Sequence, residues 1–251
     1  QCSASLIKQC LILKEIVVFL QPVVAELNKD KKMPTETVVL LHGLGRTPLA
    51  MAGLHLYLRK QGFHVVNQGY ASRRHAIPEL CRQLVHALIP RIPPDGPIHF
   101  VTHSMGGILL RYGMQHWQVP RDRLGRAVML APPSQGSEVV DQLRRWPLLP
   151  RIMGPAFLQL GTDASSIPQQ LLQQEHERLP LEVGIIAGRR SIDPLFSRWL
   201  QGEHDGKVTV ARSRHPGMTD FRVMDVNHTF IMNDQQVREQ IVHFLRHGQF
   251  R

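Results

Sequence analysis

The stretch I-H-F-V-T-H-S-M-G-G, residues 98–107, constrains this chain more than any other. Its first four residues, apolar or β-favouring, predict a short buried strand, and from Met105 onward the apolar positions fall at helical spacing. A strand that gives way to a helix so abruptly must turn sharply, and Ser104 stands at the apex of the turn. Strand and helix backbones then run close together, so small residues are needed beside the serine. Gly106 and Gly107 supply them.

The same alternation runs along most of the chain. Strands are expected at 37–41, 63–67, 127–131, 183–187 and 221–226, and helices at 48–61, 77–89 and 234–246 as well as after Ser104. Within the second helix Leu80, Leu84, Val85 and Leu88 share a face. This rhythm predicts an α/β fold with a mostly parallel, doubly wound sheet, on which ligands bind beyond the carboxyl ends of the strands. Between Pro132 and Pro180 the rhythm breaks. Five further prolines, a W-P-L-L-P knot and apolar residues such as Ile152, Met153, Phe157 and Leu158 fit no strand there. Long insertions inside domains are usually functional. The expected organisation is one domain over residues 34–251 with an insertion at about 134–180, preceded by an extension over residues 1–33.

That extension is apolar from Leu6 to Leu27, which predicts a helix kinked or divided at Pro22. Lys8, Lys14, Glu15 and Glu26 interrupt it and no small-residue cleavage site follows, so neither a signal peptide nor a membrane span is expected. Its wide apolar surface still needs a partner: the domain itself, another subunit or a membrane surface. A cytoplasmic or membrane-associated setting is favoured over secretion. The net charge of +10 could mean an anionic partner, but the basic residues are scattered and no nucleic-acid motif is present, so no nucleic-acid binding is expected. Cys2, Cys10 and Cys81 have neither metal spacing nor an even count, which argues against a zinc site and a disulfide framework.

T-H-S-M-G resembles the nucleophile elbow of the α/β-hydrolase superfamily, G-x-S-x-G, with Thr102 where the first glycine usually stands. His42-Gly43-Leu44-Gly45, after an early strand, resembles the superfamily's oxyanion loop. H-D-G-K-V-T-V and D-V-N-H-T-F, which follow the elbow in the order acid then base, look like the matching loops of bacterial esterases and lipases. The resemblance covers about residues 37–247. It implies an α/β-hydrolase fold with a helical cap or lid, and a serine hydrolase that cleaves small-molecule or lipid carboxylic esters through an acyl-enzyme, with no metal and no cofactor.

Carried residue by residue, it makes Ser104 the nucleophile, His228 the base and Asp205 the acid, with the Leu44 and Met105 amides as oxyanion donors. His103, Trp146, Leu149 and Phe157 are expected against the substrate, His42 beneath the oxyanion loop, and Arg46 either as a solvated loop charge, the preferred reading, or at the mouth of the pocket. Two other carboxylates compete with Asp205. Asp225 is expected inside a strand, pointing to a sheet face, and Asp193 at a turn or helix start before Pro194. Gly206 lets the chain bend sharply after Asp205. A thioesterase or lipid acyltransferase would use the same residues, and a non-catalytic binding protein of this fold would have no need of all three.

Overall fold

The strand β1 (Thr37–Leu41) is buried at every position, as only a central strand covered on both faces can be. In the computed structural model, which describes residues 35–174 and 179–251, it lies inside a six-stranded sheet. The expected helix from Leu6 to Leu27, its break at Pro22, the domain boundary near residue 33, Cys2, Cys10 and residues 175–178 of the insertion lie outside the described residues.

The other strands are β2 (His64–Gln68), β3 (Ile98–His103), β4 (Leu124–Leu130), β5 (Glu182–Gly188) and β6 (Asp220–Met224). All pair in parallel, in the order β2-β1-β3-β4-β5-β6. Between them run α1 (Ala52–Lys60), α2 (Ile77–Leu88) and α3 (Met105–His116), and α10 (Gln235–His247) closes the chain. Side chains alternate across the strands, so Val39 and Leu41 join Phe100, Met129 and Ile185 in the core under α2 and α3. Val38 and Leu40 join Val101, Val128 and Ile186 in the core under α1 and α10. In α2 the buried Ile77, Leu80, Cys81, Leu84 and Leu88 form one stripe, each large side chain contributing roughly 1.5–3 kcal/mol by burial. Burial also pushes the Cys81 thiol up to about 12, which makes it an inert core residue.

Most boundaries fall within one or two residues of expectation, and three departures have a visible cause. The helix expected over 48–61 opens as a 3₁₀ turn (Pro48–Met51) before α1, with the Ala50 N–H bonded to Thr47 O at 3.0 Å. Strand β4 starts three residues early because Ile98 pairs with Leu124 across a register irregularity; there the Arg126 N–H donates to His99 Nδ1 at 2.9 Å. Strand β6 stops at Met224, so Asp225 is not a strand residue: it stands exposed beyond the end, 3.4 Å from Arg189.

After β4 the chain makes a long excursion through α4 (Glu138–Leu143), α5 (Leu149–Met153), α6 (Pro155–Leu158) and α7 (Ile167–Gln174). Gln159 ties it to the body of the domain by capping α2, its Oε1 accepting from the Ile77 N–H at 2.7 Å. Two further short helices, α8 (Pro194–Ser197) and α9 (Val210–Ser213), lie between β5 and β6. Among the described residues no helix is long and apolar enough to cross a membrane, and no cluster of His, Cys, Asp or Glu could hold a metal ion.

Candidate active site

Ser104 occupies the single residue between β3 and α3 with φ 53° and ψ −122°, a region that side-chain-bearing residues rarely adopt. Its N–H donates to Leu130 O at 2.8 Å, which pins the turn to the end of β4. The packing around it is close. A Cβ on Gly106 would lie 2.6 Å from Leu41 O, and one on Gly43 would lie 2.9 Å from the His103 ring and 3.2 Å from Ser104 Cβ. Thr102 fits in the usual glycine place because it is fully buried with Gly107 opposite, where an added Cβ would come within 3.4 Å of its hydroxyl.

A chain of hydrogen bonds leads away from the serine. His228 Nε2 is 3.0 Å from Ser104 Oγ, and His228 Nδ1 is 2.7 Å from Asp205 Oδ2. With Nδ1–H donating to the carboxylate, Nε2 is left as an acceptor facing the serine hydroxyl. Asp205 is 1 % exposed, and a buried carboxylate needs donors. It has them: its Oδ1 accepts from the Lys207 and Val208 N–H groups at 2.9 and 2.8 Å. The tight turn that aims those amides back requires φ +99° at Gly206. Asp205 O also accepts from the His228 N–H at 3.1 Å, so the two loops are joined by backbone as well as side chain.

Of the three competing carboxylates, only Asp205 meets the imidazole. Asp193 stands at the start of α8 and pairs with Lys207 at 3.2 Å, and Asp225 faces Arg189.

His103 Nε2–H donates to His228 O at 2.9 Å, and burial, with the neighbouring His228 adding to it, holds the His103 imidazole well below its usual range. It therefore stays neutral and works as a fixed donor behind His228. His42 is stacked on Tyr70 at 4.0 Å between ring centres, and its carbonyl accepts from the Tyr70 hydroxyl. Its own Nδ1–H donates to Gly43 O at 2.9 Å, and burial pushes its imidazole down too. The loop beyond is held by Gly45 N–H to Ser72 Oγ at 3.0 Å and Arg46 N–H to Gly43 O at 3.2 Å. Among the described residues, neither the Leu44 N–H nor the Met105 N–H, the first of α3, has a protein acceptor.

A cavity of about 430 Å³ opens onto Ser104 and His228. His103, Leu44, Trp146, Leu149 and Phe157 are among its lining residues, while Met105 is buried in the core beside it. Leu148 and Ile152 of the same segment are exposed instead. Lining residues that the sequence did not single out include Val139, Val140 and Leu143 on α4, and Leu195, Phe196 and Lys207 beside the Asp205 loop; Arg46 is half-buried in the wall, at the pocket mouth that the sequence offered as its alternative to a solvated loop charge. The α4 residues carried a signal, since 139, 140 and 143 share one face of a helix. The others are brought in by tertiary folding alone.

Comparison with known proteins agrees with this fold. A model of the alpha/beta hydrolase family matches residues 38–235. The search of curated proteins gave no match. Among solved structures, the lipase BlEst2 of Bacillus licheniformis in its mature form is 20% identical over 86% of this chain and 92% of that one, with a TM-score of 0.67. A metagenomic carboxyl esterase, MGS0156, is 17% identical over 78% of this chain and 65% of that one, with a TM-score of 0.64. The phospholipase PlaB of Legionella pneumophila is 20% identical over 72% of this chain but only 46% of its own length, with a TM-score of 0.60. At such identities the likeness is one of fold.

Proposed function

The chain belongs to the alpha/beta hydrolase family, and from that premise we propose that it is a serine hydrolase of carboxylic esters working through an acyl-enzyme on Ser104. The observation that carries the reading is the unbroken path Ser104 Oγ, His228 Nε2, His228 Nδ1, Asp205 Oδ2, with links of 3.0 and 2.7 Å, opening on an apolar cavity. A serine hydroxyl is a weak nucleophile until a base removes its proton. Here His228 Nε2 takes that proton as Ser104 Oγ attacks the ester carbonyl, and the buried Asp205 carboxylate balances the imidazolium that forms. The tetrahedral oxyanion is received by the Leu44 and Met105 amides, whose N–H groups have no other protein acceptor among the described residues. His228 then returns the proton to the departing alcohol. Water, deprotonated by the same nitrogen, releases the acid in a second round.

The α4 to α7 excursion acts as a cap, and its apolar side chains give the acyl chain a dry wall. Each methylene placed there is worth up to ~0.8 kcal/mol, about fourfold in kcat/KM. Medium-chain esters are therefore expected to be turned over faster than acetate. The test is a fluorophosphonate probe together with an ester panel from acetate to long-chain triglyceride. Labelling at Ser104 with a rising chain-length profile supports the reading. An unlabelled, folded protein that hydrolyses no ester refutes it.

A further inference from the structure

No residue lining the Ser104 cavity is acidic, and two bear fixed positive charge, Arg46 and Lys207. Lys207 is already answered, with its ammonium 3.2 Å from Asp193 Oδ2 and 4.5 Å from the centre of the Phe196 ring. Arg46 is not. Its guanidinium makes one hydrogen bond, to Thr229 O at 3.3 Å, and no carboxylate pairs with it among the described residues. A half-buried guanidinium presents five N–H donors in a planar fork suited to phosphate or carboxylate, and most of this fork has no protein acceptor.

Its position says which part of a substrate it would meet. Arg46 follows the Leu44 loop and is tethered to Thr229, the residue after His228, so it flanks the group that would protonate the leaving alcohol. The apolar walls come largely from the excursion, through residues such as Val140, Leu143, Met153 and Leu160. Arg46 is also part of a second depression, of about 370 Å³, lined among others by Thr47, Ala50, Thr229, Phe230 and Asn233. It thus stands between a greasy chamber for an acyl chain and an open depression for an alcohol. No lining residue of either carries a carboxylate that would repel an anion.

We propose that Arg46 selects esters whose leaving alcohol carries an anionic group, a phosphate or a carboxylate, held by its guanidinium between the two cavities. The proposal rests on the serine-hydrolase reading above. A charge-assisted bond of this kind corresponds to roughly 10- to 100-fold in kcat/KM.

The experiment compares three octanoyl esters on the full chain: those of glycerol, glycerol 3-phosphate and glycerate. At least one anionic ester is expected to exceed the neutral one by about tenfold or more in kcat/KM. The phosphate and carboxylate arms tell which anion is read. In Arg46→Gln the anionic-to-neutral ratio is expected to fall towards one, and in Arg46→Lys, which keeps the charge but loses the fork, to an intermediate value. Equal use of the three esters by the unaltered protein, or a ratio unmoved by Arg46→Gln, overturns the proposal. So does an Arg46→Gln protein that slows all three alike, since Arg46 would then only brace the His228 loop. Fluorophosphonate labelling separates the two ideas. A labelled Ser104 with no charge preference sinks the anion reading alone, whereas an unlabelled protein inert on every ester sinks the hydrolase reading and this proposal with it.

Discussion

The two halves of the site are built by different physics. The elbow lies within residues 98–107 and is held by contact: Ser104 is forced to φ 53°, and Gly106 and Gly43 leave no room for a methyl group. Asp205 and His228 arrive from loops after β5 and β6, 23 residues apart, and are held by polar bonds. Asp205 takes three N–H donors and gives its carbonyl to the His228 N–H, while His103 grips the His228 carbonyl. The difference teaches that a steric constraint marks the sequence locally, as glycines at fixed offsets. The polar clamp draws three of these five bonds from backbone amides, which every residue but proline has, and so leaves less of a mark.

If the halves are as distinct as this, damage to each should read out differently. The largest effects are expected at the reacting groups. Ser104→Ala should lower kcat by ~10⁴-fold or more with the fold intact, and Asp205→Asn by roughly 10³- to 10⁴-fold, because an amide favours the wrong imidazole tautomer and cannot balance the imidazolium. Asp193→Asn and Asp225→Asn serve as controls in the same assay. A larger loss in either than in Asp205→Asn would mean that another carboxylate supports His228.

The middle effect separates packing from polarity. In Gly106→Ala the new methyl would meet the Leu41 carbonyl, backbone that cannot rotate aside, so urea unfolding should show a loss of roughly 1–3 kcal/mol. Unchanged stability there would mean that the elbow is looser than its contacts indicate.

The smallest effect belongs to the clamp. Burial keeps His103 neutral in the folded protein, whereas the unfolded chain protonates it near pH 6.5. The unfolded state therefore binds more protons below that pH. The stability contributed by neutral His103 is full above pH 6.5 and is lost as pH falls below it, with a slope of at most about 1.4 kcal/mol per pH unit from this one group. His99, held at about 4 by burial and the nearby Arg126, adds a loss of the same sign over the same window. Unfolding free energies measured from pH 7 to 4.5 should thus show a shallower slope in His103→Gln than in the unaltered protein. Identical slopes would mean that His103 accepts a proton in the folded state.

Much of the architecture was legible because burial on both faces makes strands such as T-V-V-L-L continuous apolar runs. The start of β4 was hidden for the opposite reason: Leu124, Gly125 and Arg126 are only half-buried, and Arg126 faces the Glu182 carboxylate at 2.5 Å. In the site, Ser104 and His228 could be placed from motif order. Asp205 could be preferred from Gly206 and the V-T-V run after it, and the positive φ there is what that glycine supplies. Leu195, Phe196 and Lys207 could not be placed, since nothing in their neighbourhood in sequence says which loops close over the same space.

The pairing of β4 with β5 has a consequence for how such a molecule can diversify. Leu130 pairs with Ile186 in the ladder, and the Ala131 N–H reaches Ile186 O at 2.8 Å, so both ends of the excursion are anchored by the sheet itself. Lengthening a loop whose ends are already fixed costs little, only ~0.6 kcal/mol per doubling. Variation in length is therefore cheapest in the exposed turn at residues 145–148, and dearest at Ala156, Phe157, Leu160, Ile167 and Leu171, which this stretch contributes to the main core.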